Sequence, residues 1–390
     1  MAEKAASSRN VYVFGTTSFL NDAASEMAYW VLPAFLASMG AGPAQLGLIE
    51  GLAESVASFA KLFSGYLADK VPRRKPLVVG GYIVANAVKP LIAFTTSWVQ
   101  VLGIRFADRL AKGVRGAPRD VMVAESVPAS RLGSAYGLIQ AMDTAGAIAG
   151  PLAALALMAR YGARGVFLAA AIPGAICVLV AILGVRETEH SARPSAKPPS
   201  SDDSQRLPLA FYVVLVSTAL FSLGNSSDMF LVLRAQKAGI AVTLAPLLGL
   251  VFNITYTLAS WPAGWLSDHL PRRYLAAVGY VIFAVVYFVF GWAPSTRALW
   301  GMMALYGFYN ALTQPVLKAL VVDAVSPAVR GRALGIYAFV TSFATLAASL
   351  TTGGLWKIYG PGVPFYFSAG LAIVSALILL GSGAVRRPHA

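Results

Sequence analysis

Two carboxylic acids stand four residues apart in the apolar stretch SFLNDAASEMAYWVLP, Ser18 to Pro33. On a helix that spacing places Asp22 and Glu26 on one face. A second stretch, RFADRLAKGVRGAPRD from Arg105 to Asp120, repeats charge every three or four residues: Arg105, Asp108, Arg109, Lys112, Arg115 and Arg119. That is one continuous polar stripe. Burial favours the protonated form of a carboxyl and a nearby Arg favours the ionised form, so acids and bases that approach and part can pass a proton. The three histidines, His190, His269 and His389, fall in loops or the tail, which leaves a carboxylate as the carrier. Asp22 and Glu26 are the candidates, with Arg105, Arg109 and Lys112 as the bases that would reset them.

Further polar residues sit within apolar runs: Asp143, then Asn225 and Asp228, then Asn310, Gln314 and Lys318, with Tyr256 as an aromatic neighbour. Together with Asp108 they are candidates for lining a substrate cavity. Charge there is sparser than in the first half, so the second half is expected to recognise its ligand through polar and aromatic groups.

The elements that hold these residues must lie in a bilayer. The 390 residues are 57% hydrophobic and 12% charged, too few charges to solvate a water-soluble globule of that size. Apolar runs of about 20 residues recur, the length a helix needs to cross a hydrocarbon core. Lipid offers the backbone no hydrogen-bond partners, so each run is helical, and the runs are too long for barrel strands. Punctuation by Gly, Pro and charge predicts twelve transmembrane helices near 12–38, 45–69, 76–96, 98–124, 132–159, 164–185, 208–235, 243–268, 274–293, 297–322, 332–357 and 362–384. The first is too long for a signal peptide and follows a polar start. A single cysteine, Cys177, lies inside a span, which excludes disulfides and cysteine-based metal sites. No nucleotide-binding loop of the form G-x-x-x-x-G-K-[ST] is present, so no cofactor is expected and energy must come from a gradient.

Basic residues concentrate in alternate loops, among them Lys70, Arg73, Arg74, Lys75, Arg131, Arg272, Arg273 and Arg330. The positive-inside rule then puts both termini in the cytoplasm, with a bacterial inner membrane as the expected location. The net charge of +14 is accounted for by topology and anionic lipid, and its scatter over loops speaks against nucleic acid.

The polar, Pro- and Ser-rich segment 186–207 reads as a cytoplasmic linker between residues 1–185 and 208–390. Those halves are copies. GYLADKVPRRK from Gly65 matches GWLSDHLPRRY from Gly264, SEM at Ser25 matches SDM at Ser227, and AESVPASRLGSAYGL from Ala124 matches VDAVSPAVRGRALGI from Val322. The three pairs keep their order at offsets of 199, 202 and 198 residues.

Along its whole length the sequence resembles the major facilitator superfamily (MFS) of secondary transporters. Gly65, Leu67, Asp69, Arg73 and Arg74 fill the loop motif G-x-L-x-D-x-x-x-R-R/K, and Gly264, Leu266, Asp268, Arg272 and Arg273 fill its repeat. RLAKGVRGA from Arg109 is similar to the R-x-x-x-G-x-x-G motif of helix 4. GAIAGP, Gly146 to Pro151, is similar to the antiporter motif of helix 5, though Ala153 and Ala154 replace its closing glycines. The resemblance implies two pseudo-symmetric six-helix bundles. It also implies a cavity lined by helices 1, 4, 7 and 10, a proton-coupling role for Arg109, and a monomer that moves a small molecule. It implies a cytoplasmic latch as well, in which each loop Asp meets a helix N-terminus. The spacing adds pairs of Arg73 with Glu125 and Arg272 with Asp323. The helix 5 motif leans toward export of an amphiphilic compound by proton antiport. An anionic metabolite, a siderophore or a metal ion remains open as substrate.

Overall fold

The computed structural model describes residues 2–41, 43–188, 206–241, 244–293 and 295–381. Among them there is no β-strand. The helices are α1 (Ala2–Ser38), α2 (Pro43–Lys70), α3 (Lys75–Val88), α4 (Trp98–Glu125), α5 (Leu132–Ala169), α6 (Ala171–Gly184), α7 (Leu209–Gly224), α8 (Met229–Lys237), α9 (Ala245–His269), α10 (Arg272–Trp292), α11 (Thr296–Asp323), α12 (Arg330–Tyr359) and α13 (Val363–Gly381). These make twelve crossings. The third is α3 extended by a 3₁₀ segment, Lys89–Phe94. α5 turns a corner at Gly162, where φ is 63°, so the fifth crossing ends there and the sixth runs on through α6. The seventh is broken in two.

That break differs from the expected continuous span 208–235. α7 stops at Gly224 and α8 starts at Met229, with Asn225, Ser226, Ser227 and Asp228 between them. Short polar side chains that compete with helical backbone bonds occupy the whole interruption, which is why the helix yields at that point. Its repeat partner in α1 carries SEM in place of SDM and stays helical.

The protein is an integral, multi-pass membrane protein. Large apolar side chains face outward along many helices, with Phe63 71%, Leu155 74%, Leu258 72% and Leu350 72% exposed, a surface suited to lipid.

The chain forms two compact units. Among the described residues, those within 1–128, 142–200 and 330–336 form unit 1, and those within 129–141, 201–329 and 337–390 form unit 2. α5 and α12 therefore each change unit partway along. The expected linker lies outside the described residues from 189 to 205, as do His190 and His389. In unit 1, Val31, Leu32 and Phe35 pack with Ile92, Val101, Val166 and Phe167. The rings of Phe35 and Phe167 meet edge to face at 5.0 Å. Unit 2 is built on aromatic rings: Phe221 stacks on Tyr280 at 4.1 Å, and Phe283 on Tyr287 at 3.9 Å.

The duplicated loop glycines explain how helices approach so closely within each unit. A methyl group on Gly65 would lie 2.7 Å from the Cα of Gly335, and one on Gly264 would lie 3.0 Å from the Cα of Gly137. Both methyls would also run into a backbone carbonyl, of Gly331 and Gly133 respectively. Backbone cannot give way as a flexible side chain can. Gly264→Ala is expected to destabilise the protein by about 1–3 kcal/mol, the usual cost of overpacking. Gly103→Ala, where nothing lies within 4 Å, leaves the unfolding midpoint in detergent near wild type.

Candidate functional site

Unit 1 encloses a polar core between α1, the third crossing and α4. Lys89 is 3% exposed and lies where α3 gives way to the 3₁₀ turn before Pro90. A cation in that position costs several kcal/mol unless it is paired. Its ammonium lies 3.5 Å from Asp108 of α4 and donates to the side-chain oxygens of Asn21 and Asn86, each at 3.3 Å. Asp108 also lies 3.5 Å from Arg105, one turn back on α4. Arg105 extends over the ring of Tyr29 on α1, 5.8 Å from its centroid. On the other side, the Asn21 amide donates to Asp22 at 3.0 Å. Asp22 is thus joined to α4 through Asn21 and Lys89.

Further along α4, Arg115 is buried and its guanidinium lies 4.4 Å above the Tyr82 ring. Tyr82 in turn accepts from Thr17 at 3.1 Å. Arg119 donates to Ser18 at 3.2 Å and pairs with Asp120 at 3.1 Å. It also feels the charge of Asp143 on α5. Arg109 and Glu26 are half-buried, and Lys112 is exposed. The G-x-x-x-G of α5 sets the spacing to α1. A methyl on Gly150 would lie 2.6 Å from the Ala23 carbonyl and 2.7 Å from the Cβ of Glu26.

Unit 2 builds its polar centre on the broken seventh crossing. Tyr306 of α11 donates to Asp228 at 2.8 Å and lies 3.4 Å from the Asn225 oxygen. The Asn225 amide donates to Tyr309 at 3.1 Å, and the Ser227 N–H donates to Ser349 at 3.1 Å. The last of these satisfies a backbone donor that the interrupted helix leaves open, and the others pair the polar side chains of the break. Tyr256 of α9 stacks on Phe252 with centroids 5.7 Å apart. Asn310 is buried and donates to the Tyr306 carbonyl on its own helix; Gln314 and Lys318, one and two turns on, are half-buried.

The duplicated loops form two further clusters. In unit 1 the Asp69 carboxylate accepts from the N–H groups of Gly331 and Arg332, both at 2.7 Å. In unit 2 Asp268 accepts from Gly133 and Ser134 at 2.7 and 2.8 Å, and from the Ser134 hydroxyl at 2.6 Å. Each acid supplies a cap at the start of α12 or α5, where backbone donors have no partner within the helix and the helix dipole favours negative charge. Arg272 pairs with Asp323 and also bonds Asp268 at 2.9 Å.

The expected Arg73–Glu125 pair is replaced by Arg74–Glu125, at 2.7 Å, with both side chains buried; Arg73 is exposed. The reason is a difference between the repeats. α10 begins at Arg272, directly after Pro271, whereas α3 begins only at Lys75, with Arg74 as its N-cap. The longer turn brings the next arginine to the acid.

The sequence model of the major facilitator superfamily matches residues 14–233 and 209–390. The chain belongs to the major facilitator superfamily. An MFS-type transporter of Methanocaldococcus jannaschii is 36% identical over 388 residues, spanning 96% of this chain and 94% of its own. The multi-drug resistance efflux pump PmrA of Streptococcus pneumoniae is 26% identical over 317 residues, 78% of each chain. The solved structure of the E. coli fucose:proton symporter FucP superposes with a TM-score of 0.78 at 14% identity, covering 96% of this chain and 98% of its own. This MFS protein thus has the superfamily's twelve-helix, twofold-repeated architecture and is a transporter.

Within that MFS frame, the sequence motifs led to α1, α4 and the loop acids, but not to Lys89, Asn21 or Asn86. A lysine inside a 20-residue apolar run was a usable signal for the first of these. Removing one partner of a buried ion pair strands the other. Arg74→Gln is therefore expected to cost about 3–5 kcal/mol in unfolding experiments, while Arg73→Gln changes stability by less than about 0.5 kcal/mol.

Proposed function

We propose that the protein is a proton-coupled antiporter that exports amphiphilic compounds by alternating access. It works as a monomer in a bacterial cytoplasmic membrane, with both termini inside. The observation that carries this reading is the bonded chain from Asp22 through Asn21 and Lys89 to Asp108 and Arg105. It is a set of titratable groups in apolar surroundings whose charges depend on one another. The naming of PmrA as a multi-drug efflux pump supports export.

In this mechanism access to the bound substrate alternates between the two sides of the membrane. Asp22 and Glu26 take up and release the proton, and Arg109 favours release as it comes near. Asp108 and Asp143, with Asn225, Asp228, Tyr256, Asn310, Gln314 and Lys318, line the substrate path. Gly65, Asp69, Arg74 and Glu125, with Gly264, Asp268, Arg272 and Asp323, act as the cytoplasmic latch. A carboxylate on a helix N-terminus contributes about 0.3–2 kcal/mol, enough to bias two states without trapping one.

The test uses purified protein in liposomes with an imposed pH gradient and ethidium as a lipophilic cationic probe. Wild type is expected to move ethidium against its gradient. Asp22→Asn and Glu26→Gln together are expected to reduce that rate at least tenfold, roughly 1.4 kcal/mol in coupling. Undiminished pH-driven transport in the double variant contradicts the assignment.

A further inference from the structure

We propose that Lys89 is a positioning residue for Asp22: acting through the side-chain amide of Asn21, it sets the protonation of that carboxyl. The inference rests on the proton-coupling reading above and adds a group outside the motifs that led to it. Three observations carry it. The Asn21 oxygen is taken by two donors, the Lys89 ammonium and the Asn86 amide, each at 3.3 Å. Its amide nitrogen is thereby turned toward Asp22, to which it donates at 3.0 Å. The whole arrangement is out of water, with Asn21 2%, Asn86 6% and Lys89 3% exposed.

An amide has one acceptor end and one donor end. With a cation holding the acceptor end, the donor end must face the acid, and a donor favours the ionised carboxylate over the protonated form. Low local dielectric strengthens both bonds of such a chain. Lys89 sits where the third crossing changes from α to 3₁₀ geometry, a place where a small change in winding moves the ammonium relative to α1.

Other charges act on the same pair. Glu26 lies one turn along α1 from Asp22. On α4, Asp108 and Arg115 both act on Lys89, Arg105 and Arg109 act on Asp108, and Arg119 reaches Ser18, one turn before Asp22. From α5, Asp143 acts on Arg119, and from α6 the buried, uncharged Cys177 thiol donates to the Thr17 carbonyl of α1 at 3.4 Å. Among these groups, Lys89 is the cation bonded to the amide that holds Asp22.

Labelling by dicyclohexylcarbodiimide tests this without a transport substrate. The reagent adds to a protonated carboxyl and leaves an acylurea detectable by peptide mass spectrometry. Full-length protein in lipid nanodiscs would be labelled across a pH series, with Asp22→Asn confirming the labelled site. Loss of the cation frees the acceptor end of Asn21, so the Asp22 labelling profile is expected to move in Lys89→Met, with several-fold more label at a fixed pH. Lys89→Arg, which keeps the charge, should stay near wild type. Asn21→Ala, which breaks the relay but keeps the Lys89–Asp108 pair, should move in the same direction as Lys89→Met. If Lys89 merely neutralises Asp108, Lys89→Met lowers thermal stability and leaves the Asp22 labelling midpoint unmoved; that result overturns the inference, as does an equal shift in Lys89→Arg. Should Lys89→Met not fold, Asn21→Ala decides alone, an unmoved midpoint refuting the relay. The two readings fail separately, because pH-driven ethidium transport that survives in Asp22→Asn refutes proton carriage by Asp22 whatever the labelling shows.

Discussion

A charge or an open backbone group in an apolar core must find a partner, and the structure is organised around meeting that demand. Lys89, Arg105 and Asp108 satisfy one another across two crossings. Arg74 and Glu125 do so at the end of α4. The same constraint acts on the backbone. The first donors of α12 and α5 are met by Asp69 and Asp268, and the Ser227 N–H in the interrupted seventh crossing is met by Ser349, while Tyr306 and Tyr309 bond the side chains of the break. In water these groups would be solvated individually. In lipid they are obliged to form networks, and networks with more than one arrangement are what a two-state transporter needs.

Duplication supplies the frame, and divergence between the copies supplies the chemistry. Both loops retain a glycine for close approach and an aspartate for a helix start. The interiors have parted: unit 1 is held by lysine, arginine and carboxylate, unit 2 by stacked tyrosine and phenylalanine rings around one broken crossing. The SEM of α1 remains helical, whereas the matching SDM lies at the break. One half is thereby suited to carrying charge and the other to shaping a ligand surface, the division of labour proposed for transport.

Most of the fold was legible because its signals are strong. Apolar runs of bilayer length, punctuated by Pro, Gly and charge, marked nearly every crossing to within a few residues. The acids of α1 and the stripe of α4 were legible because charge is conspicuous among apolar residues. Asn21 and Asn86 were not, since a neutral amide signals little until its partners are known. The break at residues 225–228 was written in a run of turn-forming residues, yet hydropathy averaged across it. The choice of Arg74 over Arg73 depended on where α3 begins, a boundary of one or two residues that local sequence seldom decides.

The central claim is that carboxyls in the interior of unit 1 change protonation as the protein works. Infrared difference spectroscopy of the purified protein in lipid, stepped in pH, measures this most directly through the carbonyl band of protonated carboxyl groups. A band that titrates reversibly and is lost or shifted in Asp22→Asn or Glu26→Gln is the expected result. A spectrum with no titrating carboxyl band, or one indifferent to both substitutions, would contradict it.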